Sequence, residues 1–176
     1  MKNQKGFVLW FTGLSGAGKT TIADEVYKAL NKLGYKLERL DGDSIRQNLT
    51  KDLGFSRKDR AENIKRVAYV CSLLSKHGVG VVASFISPYK SEREIVRRKS
   101  TNFIEVHVST PLNICEKRDP KGLYAKARKG EIENFTGVND PYEKPENPEI
   151  CVYCDKKSKI EDNAKKVLNK LEKCIR

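Results

Sequence analysis

The stretch from Phe7 to Thr21, FVLWFTGLSGAGKTT, constrains this chain more than any other. Phe7 to Thr12 is a run of bulky apolar residues without alternation, which predicts a strand buried on both faces. Gly13, Leu14, Ser15, Gly16, Ala17, Gly18, Lys19 and Thr20 then satisfy G-x-x-x-x-G-K-[ST], with Thr21 next. A helical pattern runs from Lys19 to Leu33 and stops at Gly34, a favourable residue just past a helix end. Strand, glycine-rich turn and helix form the context in which this motif cradles phosphates. The glycines let successive N–H groups turn inward, and the helix N-terminus adds positive potential. Lys19 is placed to reach the β- and γ-phosphates of a nucleotide, and the Thr20 hydroxyl to ligate Mg²⁺.

The remaining chain alternates strand and helix patterns. Lys36–Leu40, Val79–Ser84 and Phe103–Val108 predict strands, and Glu149–Tyr153 a last one. Lys58–His77 carries Ala61, Ile64, Ala68, Cys71 and Leu74 at helical spacing. Pro111 opens a short helix, and Ile160, Ala164, Val167, Leu171 and Cys174 trace the apolar face of a closing one. The expected fold is α/β: a P-loop NTPase core with a parallel sheet and helices on both faces, forming one domain over residues 1–176. Residues 119–149 hold four of the six prolines and predict a lid or functional loop.

Composition narrows the partners. The net charge of +12 suits either nucleic acid or polyanionic small ligands, but the basic residues are scattered and no aromatic-interleaved stacking array accompanies them. No nucleic-acid partner is expected. No apolar run approaches the roughly 18 residues of a membrane span, and the N-terminus lacks a secretory apolar core, so a cytoplasmic protein is expected. Five scattered cysteines do not make a disulfide framework. Cys151-Val-Tyr-Cys154 lacks the second ligand pair that zinc requires and is expected to be ordinary strand residues.

A phosphate loop leaves GTPases, motor ATPases and kinases open. The N-K-x-D element of a GTPase is missing, since Asn31-Lys32 is followed by Leu33-Gly34. The strand after the long helix ends in Ser84 rather than a Walker-B acid, whereas the second strand ends at Asp41-Gly42-Asp43. In open parallel sheets ligands lie beyond the carboxyl ends of the strands, so this acid pair should face the phosphate loop. A carboxylate there can orient Mg²⁺ or take a proton from an acceptor hydroxyl.

Further blocks carry a resemblance: Leu40-Asp41-Gly42-Asp43, Asp52-Leu53-Gly54-Phe55-Ser56, Asp59-Arg60-Ala61-Glu62-Asn63-Ile64, Ser84-Phe85-Ile86-Ser87-Pro88-Tyr89, Cys115 to Tyr124, and Phe135-Thr136-Gly137. In this order and spacing, over roughly residues 6–150, the chain resembles the adenylylsulfate kinase (APS kinase) family. The resemblance implies transfer of the γ-phosphate of ATP, with Mg²⁺, to the 3′-hydroxyl of adenosine 5′-phosphosulfate (APS), giving 3′-phosphoadenosine 5′-phosphosulfate (PAPS), commonly in a homodimer. By the same resemblance Asp43 stands beside the acceptor hydroxyl with Asp41 supporting it. Arg46, Arg60 and Asn63 bind the phosphosulfate, Phe55 and Phe135 sandwich the acceptor's adenine, Ile86 and Ser87 lie in the acceptor loop, and Arg118 and Lys121 belong to the lid. Ser87 is also a rival nucleophile, through a phosphoserine intermediate. Ser44, where Asn is often found, and the stretch from Cys151 to Lys157 depart from the family pattern, the latter expected to lie away from the motifs. A different small-molecule P-loop kinase, or a nucleic-acid enzyme such as a polynucleotide 5′-kinase, is the alternative.

Overall fold

A computed structural model describes residues 4–155 and 158–175, so Lys156 and Lys157 of the departing stretch lie outside the described residues. The strands are β1 (Phe7–Thr12), β2 (Leu37–Asp41), β3 (Gly80–Ser84), β4 (Phe103–Val108) and β5 (Ile150–Val152), and the helices α1 (Lys19–Lys32), α2 (Gly42–Gln47), α3 (Arg57–Lys76), α4 (Lys90–Lys99), α5 (Leu112–Arg118), α6 (Leu123–Arg128) and α7 (Ile160–Ile175). The sheet runs β2-β3-β1-β4-β5, with every pairing parallel. β1 is central, and all six of its residues are buried. One side of the sheet packs Leu9, Phe11 and Val106 against Ile22, Val26 and Leu171, from α1 and α7. The other packs Val8, Trp10 and Val81 against Ile64, Val67 and Cys71 of α3 and Val96 of α4. Side chains alternate across the pleat of a strand, so a strand clad on both sides is apolar throughout.

Where sequence and structure part, the cause is visible. The second strand ends at Asp41, whose carboxylate accepts from the Asp43 amide at 3.0 Å and caps α2. Asp43 therefore sits in the first turn of α2 rather than at a strand end. Helix α4 has no apolar stripe to betray it. Its buried face is Glu92, Arg93 and Val96, and Arg93 is neutralised by Glu105 of β4 at 2.8 Å. The segment 119–149 is only partly an exposed lid. Within it α6 buries Tyr124 and Ala127, and Phe135 is in the core.

Candidate active site

Because β1, β3 and β2 run parallel, their carboxyl ends open on one side, and a cleft of about 920 Å³ lies there. The phosphate loop forms its donor end. Gly16 and Gly18 adopt φ of 71° and 99°, left-handed values that a side chain disfavours. A Cβ on Gly18 would also come within 3.0 Å of the Cys154 sulfur. The Lys19 ammonium is folded back onto the Leu14 carbonyl at 2.8 Å. Burial lowers its pKa to about 8 against the opposing pull of Cys115, Asp41 and Asp43. A phosphate group arriving in the loop would raise it again, since a nearby anion favours the charged form.

Asp41 joins this loop to the sheet. Its Oδ2 accepts from Thr20 Oγ1 at 3.0 Å and from Ser84 Oγ at 2.7 Å, with the Arg39 guanidinium 3.6 Å away. Burial works against ionisation of Asp41. The hydrogen bonds from Ser84, the Asp43 amide and Thr20 outweigh it and hold the carboxyl below its usual range. Asp43 is free of the sheet and pairs with Lys121 of the lid, both being solvent-exposed. Arg118 donates to the Gly16 carbonyl at 3.2 Å and to the Cys154 carbonyl at 2.8 Å. The Tyr124 hydroxyl donates to the Ser15 carbonyl at 3.0 Å. The phosphate loop is thus braced from outside by α5 and α6.

The acceptor end is assembled from distant segments. Arg60 donates to the Phe55 carbonyl at 3.0 Å and to the Asn134 carbonyl at 2.7 Å, tying the start of α3 to the segment that carries Phe135. Arg46 and Arg60 place their guanidinium carbons 4.3 and 5.5 Å from the centre of the Phe55 ring. Asn63 accepts from Thr50 at 2.7 Å. The sequence reading treats Phe55 and Phe135 as equivalent loop residues in polar surroundings, and here the structure corrects it. Phe55 is 56% exposed, whereas Phe135 is 8% exposed and packs edge-on against Tyr124 at 5.0 Å. The polar neighbours of Phe135 in sequence hid its burial, because a single ring anchoring a loop leaves no periodic signal.

Ser87 is buried and has φ of 40°. Its hydroxyl accepts from Trp10 Nε1 at 3.0 Å and donates to Thr12 Oγ1 at 3.1 Å. Thr12 in turn donates to the Ile86 carbonyl at 2.7 Å. A hydroxyl has one proton, so Tyr142, 3.0 Å away, must be the donor to Thr12. Every proton in this chain is committed, and the acceptor loop at Ile86–Ser87 is pinned to the end of the central strand.

Against known proteins, the family model described as "Adenylylsulphate kinase" matches residues 5–153. An adenylyl-sulfate kinase of Halothermothrix orenii is 55% identical over 172 residues, covering 98% of this chain and 92% of that protein. The chain belongs to the adenylylsulphate kinase family. Among solved structures, the APS kinase of Mycobacterium tuberculosis in complex with AMPPNP and APS superposes with a TM-score of 0.91 at 44% identity, covering 96% of this chain and 99% of that one. A gluconokinase of Sinorhizobium meliloti, 14% identical with a TM-score of 0.60, shares the fold alone. This family member is therefore a kinase built on the P-loop fold.

The structure brings the expected residues of this family member to the lining of one cleft, except Gly13, Leu14 and Ala17, which belong to the phosphate loop but not to the lining, and it adds others. Thr12, Trp10, Tyr142 and Arg39 position the groups above without being singled out by any motif in the sequence, and Ser84, the first residue of one of the blocks, holds Asp41. The departing stretch is not remote from the motifs, as the sequence suggests. Cys154 lies against Gly18, and its single carbonyl accepts from both Arg118 and Thr110. β5 is the edge strand beside β4, and the parallel order returns its end to the mouth of the phosphate loop.

Proposed function

We propose that this chain transfers the γ-phosphate of ATP to the 3′-hydroxyl of APS, giving PAPS for sulfate assimilation. The observation that carries the reading is the pairing, within one cleft, of a complete phosphate loop with an acceptor end built from Arg46, Arg60, Phe55 and Phe135. The M. tuberculosis relative, solved with AMPPNP and APS, supports it. APS is a planar base attached to a doubly anionic phosphosulfate. Guanidinium forks and aromatic faces are the groups that bind such a molecule.

The donor end takes the nucleotide phosphates on the loop amides and Lys19, with Arg118 beside the loop. The lid and acceptor walls orient the APS hydroxyl in line with the γ-phosphorus. Asp43 takes the hydroxyl's proton as the new P–O bond forms and the bond to the β-phosphate oxygen breaks, with ADP leaving. Asp41 fixes the start of α2 and so the direction of Asp43. Lys121 pairs with Asp43 and, on release, faces the phosphoryl group. The oxygen donors at Thr20 and Asp41 fit Mg²⁺, a hard cation that is usually bound by one or two protein oxygens together with substrate phosphates. When bound, the ion would neutralise phosphate charge.

Direct transfer is favoured over a phosphoserine intermediate by the hydroxyl chain. The Ser87 proton is given to Thr12, a neutral hydroxyl that is no base, whereas an activated serine needs an adjacent one. A cytoplasmic, homodimeric enzyme that engages no nucleic acid completes the proposal, on family resemblance and on its use of ATP. Among the described residues no helix is long and apolar enough to cross a membrane.

The test offers APS, AMP, gluconate, shikimate and 5′-hydroxyl DNA in parallel with γ-labelled ATP. Label should appear on APS alone, as a 3′-phosphate. Preferential labelling of any other acceptor would refute the reading.

A further inference from the structure

Four buried side-chain polar atoms among the described residues have no hydrogen-bond partner, and two of them belong to residues that line the cleft: Glu92 Oε2 and Thr136 Oγ1. Glu92 is 3% exposed, on the first turn of α4. A buried carboxylate oxygen left without a donor is costly, so such a group in a binding cleft points to a ligand that supplies one. The arginines around it are engaged elsewhere. Arg60 holds the Phe55 and Asn134 carbonyls, and Arg93 holds Glu105 and the carbonyls of Ser87 and Glu143. The Arg57 guanidinium lies over the Tyr89 ring at 4.8 Å.

The position within the cleft decides what the missing donor is. Thr136 follows Phe135 directly. Thr136 also bridges to Asp140, whose carboxylate accepts from the Tyr89 hydroxyl at 2.7 Å, and the Tyr89 carbonyl accepts from the Glu92 amide at 3.2 Å. Both partnerless groups therefore belong to the Phe135 end, away from Asp43 and Lys121, where the proposed reaction occurs. We infer that Glu92 is a specificity-determining residue of the acceptor pocket, accepting a hydrogen bond from the exocyclic 6-amino group of the acceptor's purine. The inference rests on the functional reading above. It supplies the base selection that aromatic walls alone cannot give, because every base has a stacking face. Adenine presents an amino donor beside ring-nitrogen acceptors. A carboxylate and a hydroxyl match that pair, Glu92 accepting from the amine and Thr136 donating to a ring nitrogen. A 6-oxo purine would instead turn an acceptor toward Glu92. In the free protein, burial pushes the Glu92 carboxyl up to about 7 against the pull of Arg60, Arg93 and Arg57, as a desolvated acid awaiting a donor should be.

The experiment measures kcat/KM for APS and for inosine 5′-phosphosulfate, which lacks the 6-amino group, in wild type, Glu92→Gln and Glu92→Met, with the KM for ATP and the melting temperature alongside. Wild type should prefer APS by on the order of 10⁴-fold, since a site built for a hydrogen bond rejects the analogue that lacks it. Glu92→Gln is isosteric and can turn its amide N–H toward a 6-oxo group. It should narrow the preference by about tenfold or more, with an unchanged KM for ATP. Glu92→Met should narrow it too, through loss of APS turnover. A wild type that does not discriminate, or a preference that Glu92→Gln leaves intact, overturns the assignment to Glu92. A wild type inactive on APS would take down the functional reading itself, a different result from an active enzyme whose preference ignores Glu92.

Discussion

On the donor side of the cleft, one unbroken run from Gly13 to Thr21 supplies the phosphate loop, and its last three residues already open helix α1. On the acceptor side the groups come from α2, from the start of α3, from the loop after β3 and from the segment around Phe135. They meet only because Arg60 ties two of these segments and the Tyr142–Thr12–Ser87 chain pins a third. Donor geometry is thus local, and acceptor geometry is tertiary. Substitutions in the loop should separate chemistry from stability. Those in the acceptor wall should often move both.

The largest effect is expected at Lys19. Lys19→Ala should cost several orders of magnitude in turnover, while circular dichroism and melting temperature stay near wild type. Retention of more than about a tenth of the activity, a loss of only about 1.4 kcal/mol, would mean that the loop does not hold the transferring phosphate.

Next comes the proton. Asp43→Asn should lower kcat by roughly 10²–10⁴-fold with a smaller change in KM, as expected for general-base assistance. Ser87→Ala should keep most of its kcat, although loss of the bonds to Trp10 and Thr12 should raise the KM for APS. A dead Ser87→Ala enzyme, with label from ATP trapped on wild-type protein and chased by APS, would replace direct transfer by a covalent route.

The two phenylalanines sharpen the comparison within the acceptor side. Phe55→Ala should raise the KM for APS by an amount corresponding to about 1–3 kcal/mol of lost stacking, with little change in melting temperature. Phe135→Ala should raise KM as well and also destabilise the fold by about 3–5 kcal/mol, the range for an aromatic ring removed from a core. Equal melting temperatures for the two variants would show that Phe135 is not the anchor its burial indicates.

This division also explains what the sequence made legible. The phosphate loop and all five strands could be read from contiguous residues, because buried parallel strands and glycine turns each have a local physical cause. Helices α2, α4 and α6 could not. Two are six residues long, and the buried face of α4 is charged rather than apolar, so no apolar period marks them. The acceptor residues were identified only through family resemblance, since nothing about an isolated Arg46 or Asn63 says what it faces. The burial of Phe135 and the approach of Cys154 to Gly18 follow from tertiary packing and strand order, which no local window contains.

The central question is whether the acceptor wall works apart from the donor loop. Arg60→Ala removes the tie between Phe55 and Asn134 and leaves the phosphate loop untouched. Calorimetric titration of wild type and variant with APS and, separately, with AMPPNP reads the two ends independently. Independent sites should not couple, so the AMPPNP dissociation constant should stay within about twofold while that for APS rises by about tenfold or more. Equal weakening of both ligands would contradict the account, because it would show that Arg60 supports the fold as a whole and does not serve the acceptor.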